Sequence, residues 1–202
     1  MNALRAILRR GLPVALLLAV PATAGAHTVI SGVGPYISGV LHPFTTPAHL
    51  LLLLGLGLLV GRQAPLKLKT PLAVFIPISA LALALTTTGL VKTVYPPILI
   101  GLALLAGALV ALGKPLPARA GGVVFALAAL ALGLDSAADN ATGWGIAKTL
   151  LGTWTGLIIA LADIAYYSSK FNQWQWQQVG LRVAGSWITA ASLMILAFAL
   201  RR

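Results

Sequence analysis

The chain contains no cysteine, which removes disulfides, thiolate metal ligands and thiol nucleophiles together. Glutamate is absent too, and the acidic side chains are three aspartates, Asp135, Asp139 and Asp163. Only 8% of the residues are charged, against 59% hydrophobic, and the mean hydropathy is +0.95. Soluble domains average about 45–50% apolar and about 25% charged, so little of this surface is made to face water. The apolar runs recur from end to end, which argues for one integral membrane domain rather than a soluble domain with an anchor. A formal charge of +11 would otherwise suggest nucleic acid. The lysines and arginines stand mostly singly and at segment ends, with no basic block and no alternation with aromatics, so no nucleic-acid partner is expected. They read instead as topology signals and as contacts with the headgroups of a lipid bilayer.

Residues 1–26 have the three parts of a secretory signal: Arg5, Arg9 and Arg10, then the apolar Leu12–Val20, then the small residues Ala24-Gly25-Ala26. Cleavage after Ala26 would make His27 the new amino terminus, with residues 27–202 forming a single transmembrane helical domain. Residues 27–46 read as a glycine-rich loop with a short helix near 36–41. Spans then follow over about Pro43–Gly61, Pro71–Leu90, Pro97–Leu112, Gly121–Ala138, Gly145–Tyr167, and a last one ending at Leu200. The linker Phe171–Gln178, polar and tryptophan-bearing, reads as an interfacial piece. The fold class expected is therefore all-α, a polytopic membrane helix bundle of about six transmembrane helices after a cleavable signal peptide. The loops after spans one, three and five carry Arg62, Lys67, Lys69, Lys114, Arg119 and Lys170, which places them inside. The Arg201-Arg202 tail falls against that rule.

Chemistry concentrates at the opposite end. His42 and His49, two of the three histidines, flank a proline-containing segment at the mouth of a very apolar helix. Polar groups there are expensive to desolvate and are candidates for function. On an unbroken helix the two would share a face, about 10.5 Å apart along the axis, too far for one cation. Pro43 and Pro47 offer a bend that would shorten the distance. Asp135 and Asp139 lie four apart at the end of span four, and so face the same way on the same side of the membrane. A free amino-terminal His27 would add an α-amino group and an imidazole, a chelate suited to copper or nickel. His27, His42, His49, Asp135 and Asp139 are thus the candidate metal ligands. Each also has a plain reading, as a histidine bonded to a main-chain carbonyl or an aspartate solvated where a helix ends. Asp163 has two readings, an inner-mouth site or a partner of Lys170. No nucleophile–base pair is evident. A membrane zinc hydrolase built on the histidines and an aspartate is the one enzymatic reading, and a non-enzyme is expected.

These features resemble the HupE/UreJ family of bacterial nickel and cobalt permeases. The resemblance covers the signal-like start, the Ala26-His27-Thr28 junction, His42-Pro43 leading into span one, and span four. The family's first motif is His-Pro followed after a few residues by Asp-His. Here His42, Pro43 and His49 match it, with Ala48 at the acidic position. The second motif has two histidines four apart and a glutamate three further on. Asp135, Asp139 and Thr142 stand at those places. The resemblance implies a multi-pass protein of the bacterial inner membrane that binds or transports a transition-metal cation of the nickel, cobalt or copper class. The changed ligand types leave a second expectation open, a non-transporting accessory subunit of a larger membrane complex.

Overall fold

The computed structural model describes residues 33–63, 66–90, 94–138 and 141–201. The signal-like segment, His27 and Asp139 lie outside them. Among the described residues there are seven α-helices and no strand. They are α1 (Pro35–Thr45), α2 (Pro47–Gly61), α3 (Lys69–Thr86), α4 (Pro96–Leu112), α5 (Ala118–Leu134), α6 (Trp144–Lys170) and α7 (Gln175–Ala199).

Proline and glycine set most of the boundaries. Pro35, Pro47 and Pro96 open α1, α2 and α4, where a missing N–H is no loss and the fixed φ suits the first turn. Gly113, at φ +73°, ends α4 in the left-handed conformation that glycine adopts without a Cβ clash. The predicted loop of residues 27–46 is in part wrong. An eleven-residue helix, α1, occupies Pro35–Thr45, and the next helix starts at Pro47 rather than near Pro43. The last helix likewise begins at Gln175, inside the segment read as a linker.

Helix α2 is the axis of the bundle, packed against α4 on one side and α6 on another, while α4 pairs with α7, and α3 with α5. The bundle interior holds Leu52, Leu53, Leu56, Phe75, Leu132 and Leu157, with many alanines and glycines between them. Lipid tails are as apolar as leucine, so apolar burial alone does not hold helices together in a bilayer. Close van der Waals contact does, and it selects small residues. Gly39 of α1 and Gly152 and Gly156 of α6 show this most sharply. A Cβ on Gly39 would run into the carbonyl of Thr149, one on Gly152 into that of Tyr36, and one on Gly156 into that of Val40. The outward surface is apolar, with Leu81, Leu105, Leu127, Leu151 and Phe198 exposed. Tyr95 and Trp144 are exposed at one end, and Tyr166, Tyr167, Trp174 and Trp176 at the other. That is the distribution of aromatics expected at two membrane interfaces.

By length and composition, α3, α6 and α7 can each cross a membrane, and α1 with α2 makes a fourth span if the pair counts as one, bent by 72°. The helices α4 and α5 are apolar but shorter, at 17 residues each.

Candidate functional site

The break between α1 and α2 follows from local chemistry. The ring of Pro47 disfavours helical geometry at the residue before it, and Thr46 is extended, at φ −97° and ψ 108°. The Thr46 N–H still donates to the His42 carbonyl (3.1 Å), closing α1, and the Thr46 carbonyl accepts from Leu50 (3.0 Å), opening α2. Thr46 therefore keeps both of its own backbone groups paired as the chain turns. His42 sits in the last turn of α1 and His49 in the first turn of α2, on either side of it. Their ring centroids lie 5.1 Å apart, edge to face at 85°. The separation of an unbroken helix is gone, and the cause is the proline corner.

His49 is 0% exposed, and its Nε2 lies 2.9 Å from Oδ2 of Asp135, whose side chain is 21% exposed. Asp135 caps the carboxyl end of α5, with its N–H on the Ala131 carbonyl. A carboxylate at the negative end of a helix dipole is unfavourable by about 0.3–1 kcal/mol, so its placement needs a compensating partner. His49 supplies that partner. An ionised carboxylate only accepts hydrogen bonds, so Nε2 carries the proton and Nδ1 is left with the lone pair. His49 Nδ1 is buried and has no hydrogen-bond partner among the described residues. Next to Asp135, Ser136 is buried and its Oγ donates to the Leu132 carbonyl at 2.7 Å. Nothing in the sequence beyond its adjacency marked that serine.

Of the five candidate ligands, His42, His49 and Asp135 gather at one end of the bundle, while His27 and Asp139 lie outside the described residues. Among the described residues no group of three or more histidines, cysteines and acids is close enough to hold a metal ion unaided. The expected pairing of Asp163 with Lys170 is not formed. Asp163 is exposed, the Lys170 ammonium lies over the Tyr166 ring at 5.4 Å, and the acid–base contact found among the described residues is the His49–Asp135 hydrogen bond. Lys170 has a nearer aromatic face one helical turn back, which the charge count along the sequence did not weigh.

No curated protein and no solved structure matches the chain. The family described as HupE / UreJ protein does, over residues 14–195. That match takes in both histidines of the corner, Asp135 and all seven helices but the last few residues of α7, and the chain belongs to the HupE/UreJ family.

Proposed function

We propose that the chain is a multi-pass carrier of the bacterial inner membrane that takes up a transition-metal cation, of the nickel and cobalt class, through His42 and His49. The observation that carries this reading is His49. A fully buried imidazole, oriented by a carboxylate on Nε2 and unpartnered at Nδ1 among the described residues, is the arrangement in which histidines present a lone pair to a metal. The neighbouring ring fits it. Two imidazoles on one cation, at about 2.0–2.1 Å per nitrogen, place their ring centroids roughly 4.5–5.2 Å apart, and the observed separation is 5.1 Å. Imidazole nitrogen suits nickel, cobalt and copper, and the family is associated with nickel and cobalt transport or accessory roles. In this reading Asp135 positions His49, while His27 and Asp139 complete the ligand set together with water. A set of few protein ligands also suits cargo better than a resident ion, because a carrier must let go.

Six spans are proposed with it: the bent α1–α2 pair, then α3 to α7. At 17 residues, α4 and α5 are about 26 Å long, at the lower limit for a bilayer core of about 30 Å. Nickel and cobalt uptake by the purified protein in liposomes tests the proposal. His49→Ala should abolish uptake at an unchanged yield of folded protein. If it lowers the folded yield and leaves metal binding unaltered, His49 is a packing residue.

The accessory reading has one observation in its favour. Asp163 is exposed on α6, one turn inside the exposed Tyr166 and Tyr167, where a carboxylate facing lipid is unfavourable and a partner protein would relieve it. Stoichiometric co-purification of another membrane protein, with no metal bound or moved, would favour that reading.

A further inference from the structure

The end of the bundle away from His49 carries a second polar cluster, with no part in holding a cation. There α2 and α4 end and α7 begins, and two arginines enter between them. Arg62 Nη1 donates to the carbonyls of Leu109 (3.0 Å) and Val110 (3.1 Å). Arg182 Nε donates to the carbonyl of Ala111 (3.0 Å). Asn172 Nδ2 donates to the Arg62 carbonyl at 2.7 Å and so ties down the α6–α7 connection. Each guanidinium is anchored by one edge to the last carbonyls of α4, a favourable place for a cation. The other N–H groups of both side chains make no hydrogen bond to the described residues.

Both arginines line a cavity of about 340 Å³, together with Asn172, Gln175, Gln178 and Gly113. A neighbouring cavity of about 420 Å³ shares Arg62 and Gly113 and adds Lys67 and Lys114. Among the described residues no acidic side chain lines either cavity. Carbonyl capping explains one edge of each arginine, but not why two guanidiniums face a shared space with no carboxylate among the described residues. Burial first, then the charge of Arg182, holds Arg62 below its usual value. The helix α7 adds positive dipole at its amino end, where Gln175 and Gln178 stand. A tetrahedral anion presents several acceptors to such a fork of donors, and arginine binds phosphate through paired N–H groups.

We propose that Arg62 and Arg182 hold a net-anionic phosphate group in this cavity. Two sources share that chemistry, an anionic phospholipid headgroup and free inorganic phosphate. Trp174 and Trp176, each 64% exposed beside the α7 start, set the cavity at headgroup depth. Phosphatidylcholine carries the same phosphate with a cation attached, which the arginine pair repels.

The test uses the full-length protein in phosphate-free detergent, as wild type, Arg182→Gln, Arg62→Gln, and Lys148→Gln at the opposite end as control. Native mass spectrometry is read after adding phosphatidylglycerol and phosphatidylcholine in equal amounts. Wild type and Lys148→Gln should retain phosphatidylglycerol over phosphatidylcholine by about tenfold, one charge-assisted contact's worth, and Arg182→Gln should bring the two near parity. That pattern assigns the site to a headgroup. A rise in unfolding temperature with inorganic phosphate over chloride at equal ionic strength and without lipid, lost in Arg182→Gln, assigns it to free phosphate. Arg182→Gln is the deciding variant, because Arg62→Gln also removes two bonds at the end of α4 and can lower the folded yield by itself. An undiminished phosphatidylglycerol preference in folded Arg182→Gln, with no phosphate-specific shift in wild type, overturns the proposal.

Discussion

In the proposed carrier Asp135 acts through one atom. Its Oδ2 holds the proton of His49 on Nε2 and so leaves Nδ1 open to a cation. Asparagine keeps the volume but offers an amide that can donate to Nε2, which would move the ring proton to Nδ1 and close the ligand position. Asp135→Asn is therefore expected to weaken nickel binding by about 10–100-fold with little change in folded yield. Titration calorimetry in detergent reads both affinity and active fraction. Unchanged affinity would make the pair a structural hydrogen bond only. The same residue shows what sequence could and could not say. An aspartate at a helix end among few acids is visible as a candidate, whereas its partner 86 residues away is not.

At the scale of the element, the corner depends on α1 lying tightly against α6, since that packing holds His42 beside His49. The close approach exists because Gly39, Gly152 and Gly156 have no Cβ. Gly156→Ala drives a methyl into the Val40 carbonyl, and overpacking of this kind costs about 1–3 kcal/mol. Gly101, in α4, has open space where a Cβ would go, so Gly101→Ala should gain about 0.5–1 kcal/mol from helix propensity alone. Thermal unfolding in one detergent compares them directly: opposite shifts are expected, and a stabilised Gly156→Ala would mean that α1 is loosely held. Gly39 read as a loop residue in the sequence, and its contact with α6 is visible only in the packed structure. A bend at Pro43 or Pro47 was anticipated from proline's effect on helices, and it falls at Pro47, while Pro43 stays within α1. The length of α1 was not, because Gly39 and Pro43 lower helix propensity and it is contact with α6 that overrides them.

For the molecule as a whole, the two polar clusters sit at opposite ends, and the charge pattern assigns the arginine end to the inside. The chain has no cysteine, so any single introduced thiol is unique. Lys148→Cys, near the start of α6, should react in intact cells with a membrane-impermeant maleimide. Lys114→Cys, just past the end of α4, should react only after permeabilisation. The reverse labelling would place the histidine corner inside and turn uptake into export.

Composition and patterning were enough for the all-helical class and for most of the apolar helices, because these depend on local hydropathy. They also marked His42, His49 and Asp135, because polar groups stand out in an apolar chain. Arg62 and Arg182 stood out less, since a lone basic residue near the end of a span is what topology alone requires. Only the tertiary structure made the pairs. His49 meets Asp135 because α2 and α5 run in opposite directions and share one end of the bundle, and Arg62 meets Arg182 around the end of α4 for the same reason. Which helices become neighbours is settled by backbone-to-backbone fit at small residues distributed along several helices at once, and no single stretch of sequence contains it.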